Sequence, residues 1–282
     1  MQEIMDVDAV FVRNEKITAE IMDAAPKLKV IAKHGVGYDN IDVEAATKRK
    51  IQVVYAPRGN TNAVAEDAMM MILCCARRYG QAHNELVRGN YDIRYVLNDA
   101  YEVTGKTLGL IGCGNIARNL AKKAKYGFGM KVIGFDPFVN VKTEADIELA
   151  TDREEVFRQA DFISIHMPST PETRHSIGEN EFQMMKKTAY IINTSRGDII
   201  DETALIQALQ KGELLGAGLD VFETEPVGMD NPLLVMDEVI TSPHIAGMTK
   251  EASDKLSLMG AEGIVQALYG EKLTWPVNHL EG

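Results

Sequence analysis

Short apolar runs alternate with helical stretches along the whole chain, and this alternation is what most narrows the folds open to it. DAVFVR (8–13), LKVIAK (28–33) and IQVVYAP (51–57) have the length and β-branched content of strands. A helix fits around Thr18–Ala25, and after the third run come a long helix from about Thr61 to Tyr79 and another to about Arg88. The pattern resumes at Lys106 with TLGLIG, a helix to Tyr126, KVIGFD, a helix near Asp152–Gln159 and DFISIHMP. It continues through a helix near Glu179–Lys186, AYIIN, a helix over Glu202–Lys211, LLGAGLDV, EVITSPH and a last helix over Lys250–Tyr269. Strands that read as unbroken apolar runs are buried on both faces, as in parallel sheets whose crossovers are helices. The expected fold class is α/β, with doubly wound parallel sheets. A length of 282 residues favours two domains, and the polar tract Gly89–Thr104 reads as an arm or connection between them.

Composition removes several function classes. A formal charge of −11 speaks against nucleic acid or an anionic membrane as the main partner. Three cysteines, two of them adjacent at Cys74 and Cys75, form neither a disulfide framework nor a metal-ligand spacing. No apolar run is long enough to span a bilayer and no signal peptide opens the chain. These features point to the cytoplasm, a small-molecule partner and no metal.

One loop carries a specific chemistry. TLGLIGCGNIARNLA places Gly112, Gly114 and Ala117 between a strand and a helix. The first glycine permits a tight turn, the second admits a pyrophosphate to the backbone, and a small third residue lets helix pack on strand. The pyrophosphate would meet free N–H groups at the positive end of the helix. The next strand ends in Asp136, where a carboxylate accepts bonds from the ribose hydroxyls and repels a 2′-phosphate. No arginine follows at Pro137, Phe138 or Val139, so NAD is favoured over NADP.

Three further strand ends carry polar residues. AYIIN leads into Arg196, GLDVFETEP presents Asp220 and Glu225, and VITSPHIAG presents His244. If strands 189–193, 215–220 and 238–242 share one parallel sheet, these side chains can meet at its carboxyl edge, where open α/β sheets bind ligands. Together they suit hydride transfer on a 2-oxo or 2-hydroxy acid. Arg196 would bind the carboxylate and polarise the carbonyl. His244 would exchange a proton with the alkoxide, and Glu225 would favour the protonated imidazole and fix its orientation. Asp220 suits the nicotinamide ring or its carboxamide better than a proton transfer.

GLIGCGNIA, NTSRGDIIDETAL, GAGLDVFETEP and SPHIAG, with HGVGYDNID and PRGNTNAVAED before them, resemble the blocks of the D-isomer-specific 2-hydroxyacid dehydrogenases in their order and spacing. The phosphoglycerate dehydrogenase branch is the most similar. The resemblance implies Arg196, Glu225 and His244 as catalytic residues. It implies NAD contacts at Gly112, Gly114, Asn115, Ile116, Asp136, Pro168, Thr194 and Asp220, and substrate contacts at Val36, Gly37 and Arg196. The implied architecture is a Rossmann-type NAD-binding domain, residues 89–264, and a discontinuous flavodoxin-like substrate domain, residues 1–88 and 265–282. The chain begins at what resembles the family's second strand, so the substrate domain is expected to lack its first strand and to expose a sheet edge. Members dimerise through the arm, which makes a homodimer the expected assembly. The implied substrate is 3-phosphoglycerate, glycerate/hydroxypyruvate or a similar small acid, with Lys33 and Arg58 as candidates to meet a phosphate. A NAD-binding regulatory protein of the same fold, with little turnover, is the alternative from another class, and formate oxidation ranks below both.

Overall fold

The computed structural model describes residues 4–97, 99–139 and 146–280. All its strands except one of two residues, Glu148–Leu149, fall inside the apolar runs, and they collect into two wholly parallel sheets. The chain divides into two units, one running to Thr61 and resuming at Met248, the other spanning Asn62–Gly247.

In the smaller unit β1 (Ala9–Val12), β2 (Val30–Lys33) and β3 (Gln52–Val54) pair in that order. Alternate strand residues face opposite sides, and both sides are covered. Ile31 and Val53 join a core with Met22 of α1 (Ala19–Asp23) and with Ala45 and Ala46 of α2 (Val43–Lys48). Val30, Ala32 and Val54 pack on the other side against Ile264 and Ala267 of the terminal helix. The sequence pattern did not anticipate α2, which spans under two turns; its N-cap is Asp42, whose carboxylate accepts from the Ala45 N–H at 2.8 Å.

The larger unit contains β4 (Thr107–Ile111), β5 (Lys131–Phe135), β6 (Glu148–Leu149), β7 (Phe162–Ile165), β8 (Tyr190–Asn193), β9 (Gly216–Leu219) and β10 (Val239–Thr241). Their order is β10-β9-β8-β7-β4-β5-β6. The three strands thought to carry the catalytic residues, β8, β9 and β10, are therefore neighbours. Strand order reverses between β4 and β7, which is the switch point where such sheets open a ligand crevice. Helices α3 (Thr61–Ala76) and α5 (Asn115–Lys122) bury one face with Leu108, Leu110, Phe162 and Ile192. Helices α6 (Arg153–Gln159), α7 (Glu179–Met184) and α8 (Glu202–Lys211) cover the other, over Ile163, Ile165, Ile191 and Ala217.

The unit boundaries differ from those expected at 88/89 and 264/265. Ala65, Ala68, Met71, Ile72 and Cys75 put α3 into the core of the larger unit. The last helix, α9 (Lys250–Tyr269), belongs wholly to the smaller one, with Gly263 backed onto Val54. The expected helix over 61–79 stops at Ala76, because Arg78 adopts a left-handed φ of 46° and pairs with Asp99 at 2.6 Å; α4 (Tyr79–Val87) restarts beyond it. The helix expected to reach Tyr126 ends its regular turns at Lys122 and closes with a π turn over Lys123–Gly127. Among the described residues no helix is long and apolar enough to cross a membrane.

Candidate active site

The glycine loop leaves β4 at the switch point. Gly112 has φ +91°, and a Cβ there would lie 2.7 Å from the carbonyl oxygen of His166, just past β7. Only glycine lets the two loops approach this closely. Gly114 is the N-cap of α5, and a Cβ on it would meet nothing within 4 Å, so space lies open against the first N–H groups of that helix. Asn115 and Ile116 form its first turn. Asp136, just beyond β5, accepts from the N–H groups of Cys113 at 2.8 Å and Phe138 at 2.9 Å. These bonds fix its carboxylate against the loop and leave lone pairs for ribose hydroxyls. Pro168 follows β7, and its carbonyl accepts from the Thr173 hydroxyl at 2.7 Å. Thr194 follows β8, and its Oγ1 is buried without a hydrogen-bond partner. A buried orphan hydroxyl, an open helix N-terminus and a fixed acid all suit a dinucleotide lying along this edge.

The catalytic candidates come from the neighbouring strand ends. The Asn193 amide donates to the Arg196 carbonyl at 2.8 Å and its oxygen accepts from the Ser195 N–H at 3.0 Å, which shapes the turn presenting Arg196. At Gly197 a Cβ would fall 1.9 Å from the backbone carbon of Phe222, so the arginine loop and the glutamate loop are in backbone contact. Glu225 Oε1 accepts from the Phe222 N–H at 3.2 Å, and its Oε2 lies 2.7 Å from Nδ1 of His244. Burial pulls the Glu225 carboxyl upward. The hydrogen bond and charge of His244, the Phe222 N–H and the Arg196 guanidinium outweigh it and hold the carboxyl below its usual range. The expected trio is thus brought together within one unit.

Asp220 does more for the loop than its sequence position suggested. Its carboxylate is fully buried and accepts from the Ser242 hydroxyl at 2.6 Å and from the Ile245 and Ala246 N–H groups, each at 2.8 Å. The His244 N–H donates to the Asp220 carbonyl at 2.7 Å. These bonds secure a backbone in which His244 itself sits at φ 54°, a left-handed value costly for a non-glycine residue. Two residues at this edge escaped the sequence reading. His166, whose Nε2 lies 2.9 Å from the Ser164 hydroxyl, is pushed down to about 4 by burial; the HMP following a buried strand was its only signal. Asp67 of α3 is pushed up to about 6 by burial and then by the charge of Asp220, and nothing local to its sequence marks it.

In the smaller unit Val36 and Gly37 lie in the loop after β2. Lys33, the last residue of β2, is buried, and its ammonium donates to the Arg13 carbonyl and to Asn40 Oδ1, the latter at 2.7 Å. Arg58 is exposed, with its guanidinium 5.5 Å from the centre of the Trp275 ring.

The family description "D-isomer specific 2-hydroxyacid dehydrogenase, NAD binding domain" matches residues 69–246, well over half of the chain. The chain belongs to this family. Among its relatives, the D-3-phosphoglycerate dehydrogenase of Methanocaldococcus jannaschii is 45% identical over 274 residues, covering 96% of this chain and 52% of that protein. The chain therefore spans about half the length of that relative. The hydroxypyruvate reductase of Thermotoga maritima is 41% identical over 272 residues, covering 95% of this chain and 87% of the relative. In three dimensions a glyoxylate reductase from Paecilomyes thermophila superposes with a TM-score of 0.87 at 31% identity, covering 98% of this chain and 85% of that one. The larger unit is accordingly the NAD-binding domain of the family.

Proposed function

We propose that this dehydrogenase interconverts a small D-2-hydroxy acid and its 2-oxo acid with NAD as the redox partner. The observation that carries the reading is the 2.7 Å contact between Glu225 Oε2 and His244 Nδ1, on a loop in backbone contact with the loop of Arg196. With Nδ1 engaged by the carboxylate, Nε2 is left to carry the proton exchanged with substrate. Arg196 binds the substrate carboxylate and draws charge from the carbonyl oxygen. Val36 and Gly37 of the smaller unit belong to the same proposal as backbone donors to the substrate. The bound dinucleotide supplies or accepts the hydride. Asp136 and the first turn of α5 hold its adenosine and pyrophosphate portions, and Thr194 and Asp220 line its nicotinamide end.

Within this class glycerate/hydroxypyruvate and glyoxylate are favoured over 3-phosphoglycerate, because the Lys33 ammonium is buried in bonds to Arg13 and Asn40. Arg58 is then the cation left for a phosphate. The assembly proposed is a homodimer formed through the arm, and the three free cysteines accord with a reducing, cytoplasmic setting.

The test is NADH oxidation by the full chain with hydroxypyruvate, phosphohydroxypyruvate and glyoxylate, with Arg196→Gln alongside. Turnover of one acid that the substitution abolishes supports the proposal and names the substrate. NADH binding without turnover of any acid favours a regulatory protein instead.

A further inference from the structure

We propose that Asp67 sets the preference of the cofactor site between oxidised and reduced NAD, by placing a second carboxylate beside Asp220 at the carboxyl edge of the sheet. The inference rests on the NAD reading of that edge and adds a residue to it.

The placement follows from how α3 crosses the sheet. A Cβ on Gly218, in β9, would lie 3.1 Å from the Cβ of Met71 in α3. Farther along the helix Cys74 and Cys75, with Arg78 just past its end, line a small cavity with Leu215, Glu238 and Ile240, toward the amino ends of β9 and β10. Helix α3 thus runs antiparallel to β9, with its early turns toward the carboxyl edge. Asp67 precedes Met71 by four residues, a step of about 6 Å along the helix. Asp220 follows Gly218 by two residues, a step of about 6.6 Å along an extended chain. The two acids therefore arrive at the same level.

The surroundings call for a polar, cationic neighbour. Asp67 Oδ2 is buried with no hydrogen-bond partner, as is Oγ1 of Thr194 at the end of the adjoining strand β8. Asp220 accepts three bonds from the His244 loop and, as a carboxylate, has no proton to donate to Asp67. The titratable groups that reach Asp67 are Asp220 and, two turns along α3, Cys74, whose thiol burial and Asp67 itself push up, so it stays neutral. The nicotinamide of NAD carries a positive charge that the reduced ring lacks. An ionised Asp67 favours the oxidised form, and a protonated Asp67 removes that bias. Since burial and Asp220 raise Asp67 to about 6, the switch falls in an accessible pH range.

The experiment measures dissociation constants of NAD and NADH by calorimetry on the full chain, for wild type and Asp67→Asn. The ratio of the NADH to the NAD constant is expected to rise about five- to tenfold between about pH 5 and about pH 7.5 in wild type, and to stay flat in the variant. Every other titratable group is the same in both proteins, so the difference between the two profiles isolates Asp67. Unfolding of the free proteins gives a second reading: Asp67→Asn should melt higher than wild type above pH 6 and not below pH 3.8, the ordinary aspartate value. The same pH dependence in both proteins, or no stabilisation of the variant, would overturn the proposal. Failure of wild type to bind either nucleotide would overturn the NAD reading, and this inference with it.

Discussion

At the scale of single residues, His244 is where backbone strain coincides with the proposed proton transfer. Its left-handed backbone is held by Asp220 and its ring by Glu225, so each acid has its own effect when removed. Replacing His244 by alanine should lower kcat by about 10²–10⁴-fold, the usual share of general acid–base help, with little change in the NADH dissociation constant. Steady-state kinetics and fluorescence titration separate the two. Glu225 is held below its usual range, so the stability contributed by its pair with His244 is fully present above the ordinary glutamate value of 4.5. It is lost only as pH falls through the lower folded value. His166 runs the other way in charge but not in sign. Its folded value of about 4 lies below the ordinary 6.5, so its contribution is complete above pH 6.5 and drains away on acidification. The loss should be on the order of 2 kcal/mol, and a His166→Asn variant should show a flatter profile of urea-unfolding free energy between those pH values. The pairing of Glu225 with His244 was legible in sequence, but the burial of His166 and the bonding of Asp220 were not. The Asp220 bonds span 22 to 26 positions, and only the parallel order of β9 and β10 brings their ends together.

At the scale of elements, the loops after β4 and β8 are each held against a neighbouring backbone. Gly112→Ala introduces a side chain at positive φ against a carbonyl 2.7 Å away, and should cost about 1–3 kcal/mol together with measurable loss of NADH binding. Gly197→Ala would drive Cβ into the Phe222 backbone. It should depress kcat more than it lowers the melting temperature, because the displaced loops carry Arg196 and Glu225. Elements with strong periodicity and clear caps were readable: α9 spans Lys250–Tyr269 as expected, opened by Thr249 and closed by Gly270 at φ 68°. The cap of Thr249, accepting from the Ala252 N–H at 3.1 Å, should be worth about 1 kcal/mol on replacement by alanine, checked by chemical denaturation. Helix α2 and strand β6 were not readable, since six and two residues hold too little pattern to rise above their flanks. The break at Arg78 was readable to within about a residue, because the first helix was expected to end near Tyr79 with a second one following it.

At the scale of the whole molecule, we propose that the arm joins two copies. Helix α4 buries none of its residues within the chain, and Tyr79, Val87, Tyr91, Tyr95 and Val96 are each more than half exposed. A surface so apolar calls for a partner. Light scattering is expected to report a dimer for wild type and a smaller species for a Val87→Asp, Tyr91→Asp double variant. The division into units also fixes an order of events. The chain leaves the smaller unit at Thr61 and rejoins it at Met248, and the side of β2 and β3 formed by Val30, Ala32 and Val54 is covered by α9. During synthesis that side stays bare while the ribosome makes all of the NAD-binding domain, which can fold first. The strands of the smaller unit that precede the NAD-binding domain are then finished only after that domain, once α9 has been made to cover them.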